Sequence, residues 1–177
     1  LSFDPVWGGP EQASFDALDS WDQRPEEGIQ YYSGKAIYRK TLDIEKPTDG
    51  RLLLELGDVK DVAKVILNGQ EVGVAWLPPF AADITDHIIA GENMLEIEVI
   101  NSWRNRMIGD QQHPMDFELT RGILSAVPDW LKNGTPRPEQ NRYTFATCPI
   151  FGKDDQLGKA GLLGPVRLKV ANGVAPD

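Results

Sequence analysis

The sequence predicts an all-β fold, a two-layer antiparallel β-sandwich with long irregular loops, on three observations. Val62, Lys64 and Ile66 alternate with Ala63, Val65 and Leu67 up to Asn68-Gly69, beyond which Val72 and Val74 lead to Trp76. Asn-Gly supplies two residues that tolerate positive φ, as a two-residue type I′ turn requires, so this segment is a hairpin. Residues 94–100 set Leu95, Ile97 and Val99 on one face and Met94, Glu96 and Glu98 on the other, the pattern of a sheet with one buried face. A sheet with a dry face needs a second layer. No repeat, heptad or amphipathic helix of useful length stands beside these strands.

Leu1-Ser2-Phe3 opens like the middle of a strand, as an excised fragment would. Residues 4–28, rich in Pro, Gly, Asp and Glu, read as a loop draped over the core with one short helical turn, ordered by Trp7 and Trp21. With the opening strand fragment they make a leading segment over residues 1–30. From Ser33-Gly34 the alternation through Ala36 and Tyr38 to Ile44 gives a strand, and Pro47, Asp49 and Gly50 turn the chain into a second, over 51–56. After the hairpin, Pro78-Pro79 cannot donate to a central ladder and marks an edge or crossing. Ala82, Ile84 and Ile88 then approach a turn at residues 90–93. Residues 104–140 form a long irregular insertion, and loops of that length in compact domains are commonly functional or touch another domain. Strand-like alternation returns at 142–147 and 162–170, before a frayed tail over 171–177.

A chain of 177 residues suits one sandwich domain. The formal charge of −9, from 27 acidic against 18 basic residues, and the absence of any basic block disfavour a phosphate-backbone partner, so nucleic acid is not expected. The apolar stretches are strand-sized, whereas a helical membrane span needs about 20 apolar residues, so no membrane is expected either. One cysteine, Cys148, excludes an intrachain disulfide framework and leaves the redox compartment open.

The ordered motifs carry a resemblance. They are residues 31–40 (YYSGKAIYRK), Leu56-Gly57-Asp58-Val59, Leu67-Asn68-Gly69, Trp76 with Pro78-Pro79-Phe80, Asp83-Ile84-Thr85, residues 101–106 (NSWRNR) and residues 161–166 (GLLGPV). The chain resembles the galactose-binding-like, jelly-roll domains of large glycoside hydrolases, often called the family 2 sugar-binding domain. It is most similar to the C-terminal sandwich of α-L-rhamnosidase-like enzymes of family 106. The resemblance implies a galactose-binding domain-like jelly roll and a carbohydrate-binding or accessory role. Hydrolysis would occur on a separate barrel, and since such a barrel alone takes roughly 250 residues, its catalytic pair is not expected here. The resemblance also admits a structural calcium held by turn acids and carbonyls, with no EF-hand spacing to locate it.

The residues agree that no catalytic centre is present. Glycoside hydrolysis needs two carboxylates about 5 to 9.5 Å apart across a sugar-sized cleft. Asp58 with Asp61, and Asp154 with Asp155, sit in turn-like surroundings and read as solvated acids. His87, His113 and Cys148 lack the spacing of a metal motif, and neither a phosphate loop nor a nucleophile elbow occurs.

Sugar binding needs an aromatic face plus planar polar groups. The short loop holding Trp103, Arg104, Asn105, Arg106 and Asp110 offers both, and Trp130 and Tyr143 are further candidate platforms. A structural alternative stands beside this reading: Trp103 plugs the core while Arg106 pairs with Asp110. Trp76, next to Pro78-Pro79, reads as core packing that seals a sandwich edge, and Trp7 and Trp21 read as staples. Two roles follow. The chain is either a carbohydrate-binding accessory domain, or a structural domain packed on the catalytic domain of the same parent chain. The second role predicts a contiguous exposed apolar patch.

Overall fold

The structure, a computed structural model, describes residues 1–45, 49–138 and 141–171. The expected turn at 46–50 falls largely outside these, as does the tail at 172–177. In chain order the strands are β1 (Ser2–Phe3), β2 (Lys35–Ile44), β3 (Arg51–Lys60), β4 (Val62–Leu67), β5 (Gln70–Ala75), β6 (Phe80–Asp83), β7 (Gly91–Ile100), β8 (Leu119–Thr120), β9 (Ile123–Leu124), β10 (Gly161–Gly164) and β11 (Arg167–Ala171). The short helices are α1 (Glu27–Gln30), α2 (Arg104–Asp110) and α3 (Asp129–Lys132).

The chain is an all-β sandwich of two antiparallel sheets. One has the order β1-β2-β7-β4-β5. The other is built on β3, which pairs with β6, β10 and β11. The Asn68-Gly69 turn forms as expected, with φ of 51° and 77°, and joins β4 to β5. Along β7 the inward residues Leu95, Ile97 and Val99 are buried, and β2 pairs with the whole of it from Lys35↔Ile100 to Ile44↔Gly91. Leu54, Leu56, Val59 and Leu162 supply the facing layer. Fully burying side chains of this size contributes about 1.5–3 kcal/mol each, which is what pins the register.

β3 runs on to Lys60 rather than ending at Leu56, because Gly57 adopts φ 70° and lets the backbone of Gly164 approach where a Cβ would collide at 2.2 Å. The leading segment is ordered by aromatics. Trp21 is fully buried and meets Phe3 and Tyr32 edge-on, and its indole N–H donates to the Tyr38 hydroxyl at 2.7 Å. That hydroxyl in turn accepts from the Leu162 N–H at 3.0 Å, tying the leading loop to both sheets. Among the described residues, no helix is long and apolar enough to cross a membrane.

Three expectations are corrected. Residues 104–110 form α2 rather than a loop. Residues 142–147 are not a strand, since the N–H groups of Tyr143 and Thr144 bond to a carboxylate and not to a neighbouring strand. Trp76 does not seal an edge: it stands one residue past the end of β5, on the outer face, 65% exposed.

Candidate functional site

An aromatic cleft of about 370 Å³ is lined by Trp7, Trp103, Met107, Tyr143, Thr144 and Phe145. Three separate segments build it. Trp7 ends a 3-10 turn (Pro5–Trp7) that Asp4 caps by accepting the Val6 N–H at 3.0 Å. Gly8 closes that turn at φ 80°, and a Cβ there would lie 2.6 Å from the Tyr143 hydroxyl oxygen, so glycine is required for both the turn and the approach of the ring. Trp103 is the residue that caps α2, and the Met107 N–H donates to its carbonyl at 2.9 Å, which sets Met107 one turn further along the same face. The indoles of Trp7 and Trp103 meet edge-on, with centroids 5.4 Å apart and planes at 80°. Both stay open to solvent, Trp7 at 36% and Trp103 at 49%.

Behind the cleft lies a charged knot. Asp110 is fully buried, and its carboxylate accepts from Arg106 Nε at 2.9 Å, from the N–H groups of Tyr143 and Thr144 at 3.1 and 2.6 Å, and from the Thr144 hydroxyl at 2.5 Å. Arg142 donates to the backbone carbonyls of Asp110 and His113. Burial holds the Arg142 guanidinium below its ordinary value, and the nearby Asp110 charge opposes that shift. The Arg106 guanidinium also lies 4.8 Å from the Tyr143 ring centroid. A carboxylate with this many donors fixes segment 142–144 without a strand partner, and so fixes Tyr143 and Phe145 as the back wall.

The seven residues predicted from sequence therefore separate. Trp103 and Tyr143 come together in the cleft. Asn105, Arg106 and Asp110 are buried and act structurally; Asn105 exchanges two hydrogen bonds with the Gly158 backbone, at 2.7 and 2.8 Å. Arg104 turns aside to the Gln156 carbonyl, at 2.7 Å, and to the Phe151 ring. Trp130 packs edge-on against Phe145 beneath the Arg137 guanidinium and lines a different hollow with Phe117 and Pro128. Sequence reasoning missed Trp7, Met107 and Phe145. The one local signal was Gly8-Gly9 directly after Trp7, which marks a tight turn that presents the indole.

No pair of carboxylates faces across the cleft lining, so the arrangement offers a stacking surface rather than acid–base chemistry. Among the described residues, no group of three or more His, Cys, Asp or Glu side chains converges on a metal position.

A two-layer antiparallel sandwich whose connecting segments present aromatic rings is the build of a β-sandwich module. The chain belongs to the glycosyl hydrolase 2 galactose-binding domain-like family, whose model matches residues 19–137. A Formosa agariphila protein named "Putative beta-glucuronidase" is 46% identical over 159 residues, covering 88% of this chain and 14% of that protein. A second protein of the same name and organism is 28% identical over 147 residues, covering 81% of this chain and 17% of its own length. Among solved structures, a rhamnosidase from Novosphingobium sp. PP1Y superposes with a TM-score of 0.76 at 31% identity, over 94% of this chain and 14% of that one. The chain thus spans under a fifth of the length of these relatives, which are larger glycoside hydrolases by name. Trp103 and Met107 lie within the family-matched stretch, whereas Trp7, Tyr143 and Phe145 lie outside it.

Proposed function

We propose that this is a non-catalytic carbohydrate-binding accessory domain of a glycoside hydrolase, in which the apolar face of a pyranose rests on Trp103 and against Trp7 and Tyr143. The observation that carries the reading is the exposure of two tryptophans held at right angles by a rigid, buried scaffold. Aromatic rings left open to water cost hydrophobic stabilisation, and a sugar ring with an apolar face recovers it. The relatives' names suggest the ligands to try first. Isothermal titration against rhamnose, galactose, glucuronic acid and their oligomers should give heat with at least one of them. Trp103→Ala should lower that affinity about tenfold or more while leaving the unfolding midpoint nearly unchanged. No heat with any of these sugars at millimolar concentration overturns the reading.

A second role is favoured by a separate observation. On the outer face of the five-stranded sheet, Ile100 pairs with Val62, and the register Ala63↔Ala75 brings Trp76 beside them, with Val74 one position along. Trp76, Val74 and Ile100 are all exposed. Exposed apolar side chains on one face support packing against a catalytic domain. This set shares no residue with the cleft lining, so docking and binding use different side chains. Trp76→Ser should weaken association with a separately expressed catalytic domain and leave the sugar titration unchanged; unaltered association would remove this role.

A further inference from the structure

Beside β1 the sandwich is open. β1 pairs with Ala36 and Ile37 of β2, its register sets Leu1 opposite Tyr38, and from Arg39 to Ile44 the edge of β2 turned away from β7 has no strand partner among the described residues. β11 pairs with β3 alone and is a second open edge. Between the two edges runs a cleft of about 540 Å³, with Tyr38, Leu42, Leu54, Leu95, Ile97 and Leu162 in its walls. The inward positions along it are abnormally wet. Leu168 and Val170 lie opposite buried Leu54 and Leu52, yet are 40% and 57% exposed. Lys40 takes the inward position opposite buried Leu95, lines the cleft, and makes no ion pair among the described residues.

Two costs coincide here: a row of unpaired backbone donors and acceptors, and apolar side chains facing water where the strand pattern turns them inward. A small apolar ligand would relieve the second and leave the first. An added strand relieves both, because its backbone completes the ladder while alternate side chains enter the cleft. β1 already starts that ladder, with Phe3 facing inward opposite Ala36. Lys40 also disfavours the simplest wrong occupant, since edge-to-edge pairing with a second copy would bring like charges to the seam.

We propose that the β2 edge accepts an extended segment from the polypeptide of a larger glycoside hydrolase, antiparallel to β2 and in line with β1. Its residue opposite Leu42 is apolar and its residue opposite Lys40 is acidic, since the position opposite Tyr38 is already taken by Leu1. A guest covering residues 39–44 spans about 20 Å. This inference is independent of the sugar-binding reading, since it uses no residue of the aromatic cleft.

The test uses the 177-residue chain and a synthetic eight-residue peptide of alternating valine and threonine, with glutamate in place of the valine opposite Lys40. Amide exchange is followed by NMR. With peptide at about ten times its Kd, the β2 amides that point away from β7 should exchange about tenfold more slowly. Lys40→Glu should shift preference to a peptide carrying lysine at that place. Three results overturn the proposal: no slowing up to millimolar peptide, equal binding by a peptide N-methylated at alternate residues, or a concentration-dependent dimer of the free chain that protects the same amides.

Discussion

Asp110 accepts from Arg106, from the Tyr143 and Thr144 backbone and from the Thr144 hydroxyl, so one buried carboxylate sets the position of the Tyr143 ring. Removing it leaves the Arg106 guanidinium buried without its counter-charge, and breaking such a pair from one side costs about 3–5 kcal/mol. Asp110→Ala should therefore show a loss of that size in urea unfolding, whereas Trp103→Ala, at an exposed ring, should not. A loss under about 1 kcal/mol would mean that the knot does not hold the cleft. Gly8 is the second such position. Alanine there meets both the φ of 80° and the Tyr143 ring, so Gly8→Ala should cost about 1–3 kcal/mol and displace the ring, visible as a lower melting temperature together with weaker sugar binding. The sequence offered Arg106 and Asp110 either as sugar-binding groups of a short loop or as a mutual pair, and left that choice open. What decided it was the distant segment 142–144, whose N–H groups no local pattern could assign to Asp110. The contact between Trp7 and Trp103 was illegible for the same reason, because the two lie 96 positions apart by their numbers.

At the scale of elements, the strands were legible wherever one face is buried. The Asn68-Gly69 hairpin and the alternation along β7 are written in the residues, and the observed registers follow them. The misread elements are those without such a face. α2 is seven residues long and buries both polar and apolar side chains, so it has no amphipathic period to detect. Residues 142–147 alternate like a strand in sequence, yet the N–H groups of Tyr143 and Thr144 bond to the Asp110 side chain and the segment forms no strand ladder. The outer face of the five-stranded sheet carries a row of charge, with Glu98 between Lys35 at 3.4 Å and Lys64 at 2.9 Å. Burial pushes the Glu98 carboxyl up, but its bond to Lys64 and the Lys35 charge pull it down further, so the net position is below its ordinary value. A carboxylate with a depressed native pKa stabilises the fold above its unfolded value of about 4.3, and that contribution is lost as the pH falls through the native value. Glu98→Gln should thus differ most from the parent above about pH 5, with the two stability curves converging in acid. Curves that stay parallel down to the acid transition would show that the row contributes nothing.

On the scale of the whole molecule, a family-typical sandwich carries three surfaces that do not overlap: the aromatic cleft, the apolar patch around Trp76, and the open edge along β2 and β11. The formal charge of −9 sets the background, and none of the three is basic enough to draw a nucleic acid. Fold and family were readable from ordered motifs spread along the chain, while the cleft joins residues from both sides of the family-matched stretch and so has no linear signature. Trp76→Ser should disturb docking only, Lys40→Glu strand addition only, and Trp103→Ala sugar binding only; a variant that moved two readouts together would show that the surfaces are coupled. The most direct measurement follows the indole N–H signals of the five tryptophans by NMR during titration with rhamnose, galactose and glucuronic acid oligomers. The signals of Trp7 and Trp103 should move together with at least one sugar while that of buried Trp21 stays fixed. If every indole signal stays fixed, or only that of Trp76 moves, the cleft is not a carbohydrate site.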